Sequence, residues 1–256
     1  MASQILITGA SGGLGAALAS AWLAPGKHLI LHGRDERRLE ALSRALSQKE
    51  PGAELSLIAR DLTGPDAVTA LVSDLRERSL VPDALILNIG YSLTRAFSDL
   101  TIAEVQDLLA ANLTAQIMLA HQLLPELRQL IVISSSGAYQ PGPYTNLYYA
   151  SKAALSSWTT ALQAERPDLE ILLVCPGAMC TDFACKAGRS PAPLALSPIS
   201  VASAIKKAAD RGRHYLAPGL FNKLAIALTK LLPARWNAQL VKRLQLMQAE
   251  SPDIRR

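Results

Sequence analysis

Two residues one helical turn apart carry the plainest chemical signal in this chain. Tyr148 and Lys152 flank Tyr149-Ala150-Ser151, and residues four apart on a helix share a face. A free phenol ionises near ~10 and is a weak acid or base at neutral pH. A neighbouring ammonium favours the phenolate, so the pair is suited to moving a proton onto or off an oxygen. Upstream, Ser134-Ser135-Ser136 closes an apolar run and sets hydroxyls where a strand ends. Tyr and Lys meet at this spacing on many ordinary helices, so the surrounding elements must supply the context.

That context starts at the N-terminus. Gln4-Ile5-Leu6-Ile7-Thr8 reads as a buried first strand and runs into Thr8-Gly9-Ala10-Ser11-Gly12-Gly13-Leu14-Gly15, after which the chain reads as helix. Gly9, Gly13 and Gly15 allow a sharp turn, close approach to a pyrophosphate and tight packing of the helix on the sheet. The helix N-terminus then faces the phosphate charge. Strand, turn and helix come in the order that a nucleotide site requires.

Farther on, strands are expected over residues 4–8, 27–32, 54–59, 84–88, 130–134, 170–175 and 214–217, and helices over 13–23, 36–48, 65–78, 102–124, 148–164 and 200–210. Alternation without repeats or linkers predicts a single α/β domain over residues 1–256: a Rossmann-like, doubly wound parallel sheet of about seven strands with helices on both faces. Half of the residues are hydrophobic, which suits a sheet buried on both sides. The net charge of +5 is modest, its basic residues are scattered and aromatics are few, which argues against nucleic-acid binding. Cys175, Cys180 and Cys185 are odd in number and lack a C-x-x-C spacing, so neither a disulfide framework nor a metal site is expected. His28, His32, His121 and His214 are scattered and read as structural or surface residues. No signal peptide pattern precedes the first strand and no apolar run is long enough to span a bilayer, so the expected location is cytoplasmic.

Taken together, T-G-x-x-x-G-x-G from Thr8, Asn88-Ile89-Gly90, Ser135, Tyr148-x-x-x-Lys152 and Pro176-Gly177 resemble the short-chain dehydrogenase/reductase family from about Gln4 to Thr181. The resemblance implies that the glycine loop, with Gly9, Ser11, Gly13, Leu14 and Gly15, holds NAD(H) or NADP(H). It implies catalytic roles for Asn112, Ser135, Tyr148 and Lys152, with Asn112 bending its helix and holding a water for proton relay. Ser135 is the expected serine because the family's spacing counts back to it from Tyr148. Asp61 and Leu62 match the segment that meets the adenine, Asn88 and Gly90 match the Asn-Asn-Ala-Gly segment only in part, and Pro176, Gly177 and Thr181 match the contact to the nicotinamide carboxamide. Tyr148 and Lys152 would also reach the nicotinamide ribose.

Cofactor choice turns on the end of the second strand. An acidic residue at the Gly33 position marks NAD enzymes of the family, whereas a small residue followed by Arg resembles NADP enzymes. Arg34 can meet a 2′-phosphate through two parallel hydrogen bonds, and Asp35 fits better as a helix N-cap, so NADP(H) is favoured over NAD(H). The expected activity is NADP(H)-dependent reduction of a hydrophobic ketone or aldehyde. The alternatives are an NAD-dependent alcohol dehydrogenase working oxidatively and a non-catalytic NADP(H)-binding sensor. The substrate pocket is expected to be walled by Leu93, Ser136, Tyr139, Gln140, Met179 and a lid over residues 183–198. Residues 218–247 are expected to form an amphipathic, basic extension that packs on its own domain or a second subunit, lies on a membrane or covers a lipid-like substrate. A homo-oligomer, dimer or tetramer, follows from the family resemblance.

Overall fold

A short run of β-formers, β1 (Ser3–Ile7), starts the chain at the centre of the sheet. Ile5 and Ile7 face one apolar cluster and Leu6 faces the other, which is why the strand has no polar side. In the computed structural model, which describes residues 3–187 and 195–248, six further strands join it. They are β2 (Lys27–Gly33), β3 (Glu54–Ala59), β4 (Ala84–Leu87), β5 (Gln129–Ile133), β6 (Glu170–Val174) and β7 (Tyr215–Leu216). The order is β3-β2-β1-β4-β5-β6-β7 and every pairing is parallel. The expected doubly wound α/β fold is therefore the observed one. The order reverses between β1 and β4, and that switch point opens a crevice beyond the strands' carboxyl ends.

Helices α1 (Gly13–Trp22) and α2 (Glu36–Lys49) cover one face, joined later by α8 (Pro198–Ala209). The other face is covered by α3 (Ala67–Glu77), α5 (Ala115–Leu123) and α6 (Asn146–Glu165). Leu6, Leu85 and Leu130 are fully buried beneath that second layer, and truncating any one to Ala would cost about 2–5 kcal/mol.

Two helices depart from expectation in ways that matter for the site. The run over 102–124 is not one helix: α4 (Ile102–Leu109) passes through a π-turn over Ala110–Thr114 before α5. The Ala115 N–H donates to the Ala110 carbonyl, five residues back, so the turn takes in one extra residue. Helix α6 starts at Asn146, two residues ahead of the expected start, so Tyr148 lies inside its first turn. After the short α7 (Asp182–Lys186) and α8, the chain ends in α9 (Leu220–Leu231) and α10 (Ala234–Gln248).

Candidate active site

The carboxyl ends of the central strands open onto a cleft of ≈ 750 Å³. Its floor is the glycine loop. Gly9 has φ +64°, a left-handed conformation that disfavours a side chain, and a Cβ at Gly15 would collide with the Gly9 carbonyl. Helix α1 starts with Gly12 as N-cap, no capping side chain and no acid in its first turn. Its first N–H groups and the positive end of its dipole are thus left for an anion in the cleft. Asn88 stitches β4 to this loop: its N–H donates to Thr8 Oγ1 at 2.9 Å, and its Nδ2 donates to the carbonyls of Thr8 and Gly9, both at 3.2 Å.

At the tip of β2, a Cβ on Gly33 would lie 3.0 Å from Ser11 Oγ and 3.3 Å from Leu39 Cδ2. A side chain there would be crowded and would have to displace Ser11 or Leu39 by a few tenths of an ångström. Asp35 is the N-cap of α2, its carboxylate accepting the Arg38 N–H at 3.1 Å. That cap turns Arg38 into the cleft beside Ser11 and Arg34, a role the sequence reading did not assign. Arg34 Nη1 stands 3.6 Å from Asp61 Oδ2 with both groups well exposed, so the pair is worth at most about 1 kcal/mol and Arg34 is readily drawn to a stronger anion. Asp61 Oδ1 accepts the N–H and hydroxyl of Thr63, both at 3.0 Å. Partial burial works the other way, but these bonds and Arg34 hold the Asp61 carboxyl below the usual range. Leu62 closes the cleft beside it. His32 is buried with Nε2 3.0 Å from the Arg60 carbonyl, and burial pushes its pKa down to about 4, the state of a neutral structural histidine.

The other side of the cleft is built by β5 and α6. Ser134 is buried, with Oγ donating to the Lys152 carbonyl at 2.9 Å and lying 2.6 Å from Ser156 Oγ, which locks α6 onto the strand. Ser135 starts a 3₁₀ turn over Ser136–Tyr139, where its Oγ accepts the Gly137 N–H at 3.0 Å and keeps its own proton to donate into the cleft. Lys152 is buried; its Nζ donates to the Ile133 carbonyl at 2.9 Å and lies over Gly90, where a Cβ would come within 3.2 Å. Burial lowers the Lys152 pKa to about 8.

Tyr148 and Tyr149 both line the cleft, their rings edge-on with centroids 5.9 Å apart. The Tyr148 ring stands 5.5 Å from Phe183. The Tyr149 ring packs over Gly142, and its hydroxyl accepts from Gln245 Nε2 at 3.0 Å. Asn112 sits in the π-turn, fully buried, with Oδ1 accepting the Tyr91 N–H at 3.0 Å and Nδ2 donating to the Tyr91 carbonyl at 2.8 Å and to Ser151 Oγ at 3.4 Å. It thus ties the loop after β4 to the helix that carries Tyr148. Its main-chain carbonyl accepts from Gln116 Nε2.

Pro176, Gly177, Met179 and Thr181 follow β6 into the cleft, as do Leu93, Ser136, Gln140 and Phe183. Tyr139 does not join them. Its hydroxyl lies 3.6 Å from Cys175 Sγ and its ring receives Lys230 Nζ at 4.7 Å, so it supports α9 instead of facing substrate. Of the expected lid, residues 188–194 lie outside the described residues. Cys175 is buried and Cys180 exposed, both as thiols. The sequence reading also missed Val241, Leu244 and Gln245, which close the cleft from α10. Apolar periodicity alone cannot tell which face of a terminal helix turns inward.

The family model for short chain dehydrogenase matches residues 3–191, most of the chain. The chain belongs to the short-chain dehydrogenase family. Among curated relatives, sepiapterin reductase of Rattus norvegicus is 34% identical over 195 residues, covering 70% of this chain and 74% of that protein. Among solved structures, a short-chain dehydrogenase from Sphingobium yanoikuyae in complex with NADPH superposes with a TM-score of 0.79 at 28% identity, covering 96% of this chain and 95% of that one. A bulky-bulky ketone specific alcohol dehydrogenase from Comamonas testosteroni gives a TM-score of 0.75 at 25% identity, covering 90% and 93%. This short-chain dehydrogenase is a nicotinamide-dependent oxidoreductase acting on CH–OH and C=O groups of a small molecule.

Proposed function

We propose that the chain is an NADP(H)-dependent reductase of a hydrophobic ketone or aldehyde. The observation that carries the cofactor choice is the donor set at the tip of β2, where Ser11, Arg34 and Arg38 line the cleft and Gly33 carries no acid. A 2′-phosphate suits that donor set, and a ribose hydroxyl does not need it. The NADPH-bound relative from Sphingobium yanoikuyae supports the same reading. Asp35, the acidic residue that follows Arg34, is taken up in capping α2.

NADPH, when bound, supplies the hydride. The Ser135 hydroxyl donates to the substrate oxygen and stabilises the negative charge growing there. The Tyr148 phenol delivers the proton, aided by the Lys152 ammonium one turn along the same helix. Asn112 keeps the Tyr91 loop and α6 in register, so the donor stays aimed at the cleft. Tyr149 serves as a wall, its hydroxyl engaged by Gln245. Leu93, Met179, Phe183, Val241 and Leu244 give the substrate end an apolar lining, which suits a hydrophobic carbonyl, as does the ketone-specific relative from Comamonas testosteroni. A homo-oligomer formed through α4, α5 and α6 is part of this reading, and sedimentation of the purified chain checks it.

Titrating NADPH and NADH separately, then following nicotinamide absorbance with aliphatic and aryl ketones and aldehydes, tests the proposal. Tighter NADPH binding by at least about tenfold, the worth of one charge-assisted hydrogen bond, is expected together with turnover. Equal binding of the two would remove the NADP(H) assignment.

A further inference from the structure

Helices α9 and α10 expose more large apolar side chains than they bury. Asn222, Ile226, Asn237, Val241 and Gln245 are buried on their inner sides, while Leu220, Leu224, Leu228 and Leu231 of α9 and Trp236, Leu240, Leu244 and Met247 of α10 are exposed. Leu231 is 82% and Trp236 73% exposed. The outward apolar residues recur every three to five positions on both helices, a continuous stripe on each and not a scatter of single residues. The inward polar residues act as anchors: Asn222 Nδ2 donates to the Cys175 carbonyl at 2.9 Å and Gln245 Nε2 to the Tyr149 hydroxyl at 3.0 Å. The helices are therefore held to the body by these polar contacts together with buried Ile226 and Val241, and each turns a second, larger apolar face to solvent.

Charge says what covers those faces. From Leu220 to Gln248 stand Lys223, Lys230, Arg235, Lys242 and Arg243, with no Asp or Glu. These five equal the net excess of +5, and the remaining chain balances at 21 basic against 21 acidic residues. Lys230 reaches back over the Tyr139 ring, but a second copy docking face to face would still set two helix pairs that carry basic and no acidic residues against each other, which costs affinity. An anionic lipid surface meets both requirements, since it takes apolar side chains and Trp into its interface and attracts Lys and Arg. No helix among the described residues is long and apolar enough to cross a bilayer, so the contact is interfacial.

We infer that α9 and α10 seat this enzyme on an anionic membrane surface and that its carbonyl substrate is lipid-borne. The substrate half of this inference rests on the reductase reading; the membrane half does not. The link between them is α10 itself. Val241, Leu244 and Gln245 line the cleft, while Trp236, Leu240 and Met247 of the same helix point outward, and Leu244 is half-exposed. An apolar carbonyl dissolved in the bilayer would enter the cleft alongside the inserted helix, without crossing water.

The full chain is sedimented with vesicles of equal parts phosphatidylcholine and phosphatidylglycerol, and separately with phosphatidylcholine alone. The Leu224→Ser/Leu228→Ser/Trp236→Ser variant, altered only at exposed positions outside the cleft, is run beside it. Binding to the anionic vesicles is expected, weakened at least about tenfold by loss of the anionic lipid and by the variant alike. Absence of binding overturns the inference, as does full binding by the variant, which would mean charge alone without insertion. Self-association of the wild type that the variant abolishes, without vesicle binding, assigns the face to a second copy and overturns it too. Turnover then tests the substrate half: the variant should match wild type on a small water-soluble ketone and lose at least about tenfold on a long-chain ketone carried in vesicles. Equal loss on both overturns that half. No turnover on either by wild type removes the reductase reading and the substrate half with it, while the sedimentation result still decides the membrane half.

Discussion

The two ends of this molecule follow opposite rules. Around β1, α1 and α2 the apolar side chains go inward, and polar groups at the surface are engaged in turns, caps and the anion pocket, as with Asp35 on Arg38 and Asn88 on the glycine loop. In α9 and α10, Asn and Gln share the inner side with Ile226 and Val241, while Leu, Phe and Trp face out. The difference teaches that the first end has the marks of a nucleotide site, whereas the second leaves an apolar, basic face without a partner among the described residues, the face we infer to meet an anionic membrane. On that inference the cleft takes its cofactor from one end and its substrate by way of the other.

The largest effect that would break this picture lies where the two ends meet, on α6. Tyr148→Phe should lower kcat by about 10²–10⁴-fold, the worth of a positioned acid, with the fold intact by circular dichroism. Tyr149→Phe should stay within about tenfold of wild type, because it only releases Gln245 from a neutral hydrogen bond. If the two variants trade places, the proton donor has been misassigned and α10 acts on catalysis through Gln245.

Lys152 gives the next effect and a pH signature. Burial lowers its pKa to about 8, so its ammonium is present below that pH and lost above it. Reduction should therefore fall as pH rises through about 8 in kcat/KM, and Lys152→Met should abolish that limb with a turnover loss of about 100-fold or more. A flat profile in the wild type would separate Lys152 from proton delivery.

At the cofactor end, Arg34→Ala should raise the NADPH KM by about 10–100-fold and leave the NADH KM within about threefold, with Arg38→Ala smaller in the same direction. Equal effects on both nucleotides would mean that neither arginine meets the 2′-phosphate. The smallest effect on turnover, and one confined to stability, belongs to His32. Its folded pKa of about 4 lies below the ordinary 6.5, so the unfolded chain binds a proton that the folded one refuses. Stability should be full above about 6.5 and fall as pH drops toward about 4, and His32→Gln should flatten that part of a pH series of melting temperatures.

How much of this was legible in the sequence follows the same divide. The parallel sheet, the glycine loop and the Ser135, Tyr148 and Lys152 group could be read because apolar runs, glycines and motif spacing report local geometry. A bend at Asn112 was implied by the family resemblance, but its form as a π-turn was not legible, since one extra residue in a helix leaves the hydrophobic pattern almost unchanged. Arg38 was passed over because its aim depends on how Asp35 caps the helix, a three-dimensional detail. Tyr139 was expected in the pocket wall, yet its hydroxyl lies against Cys175 and its ring under Lys230, outside the cleft lining. The C-terminal helices were recognised as amphipathic and basic. Their orientation was not legible, because apolar residues stand on both sides of each helix and buried amides share the inner face with Ile226 and Val241.

The most direct test of the central claim is single-turnover oxidation of bound NADPH by a hydrophobic ketone, with wild type, Tyr148→Phe and Tyr149→Phe side by side. Rapid loss of nicotinamide absorbance in wild type and Tyr149→Phe, slowed about 100-fold or more in Tyr148→Phe with NADPH affinity unchanged, is the result expected of an NADP(H)-dependent reductase whose proton comes from Tyr148. Tight NADPH binding with equal rates in all three would contradict it.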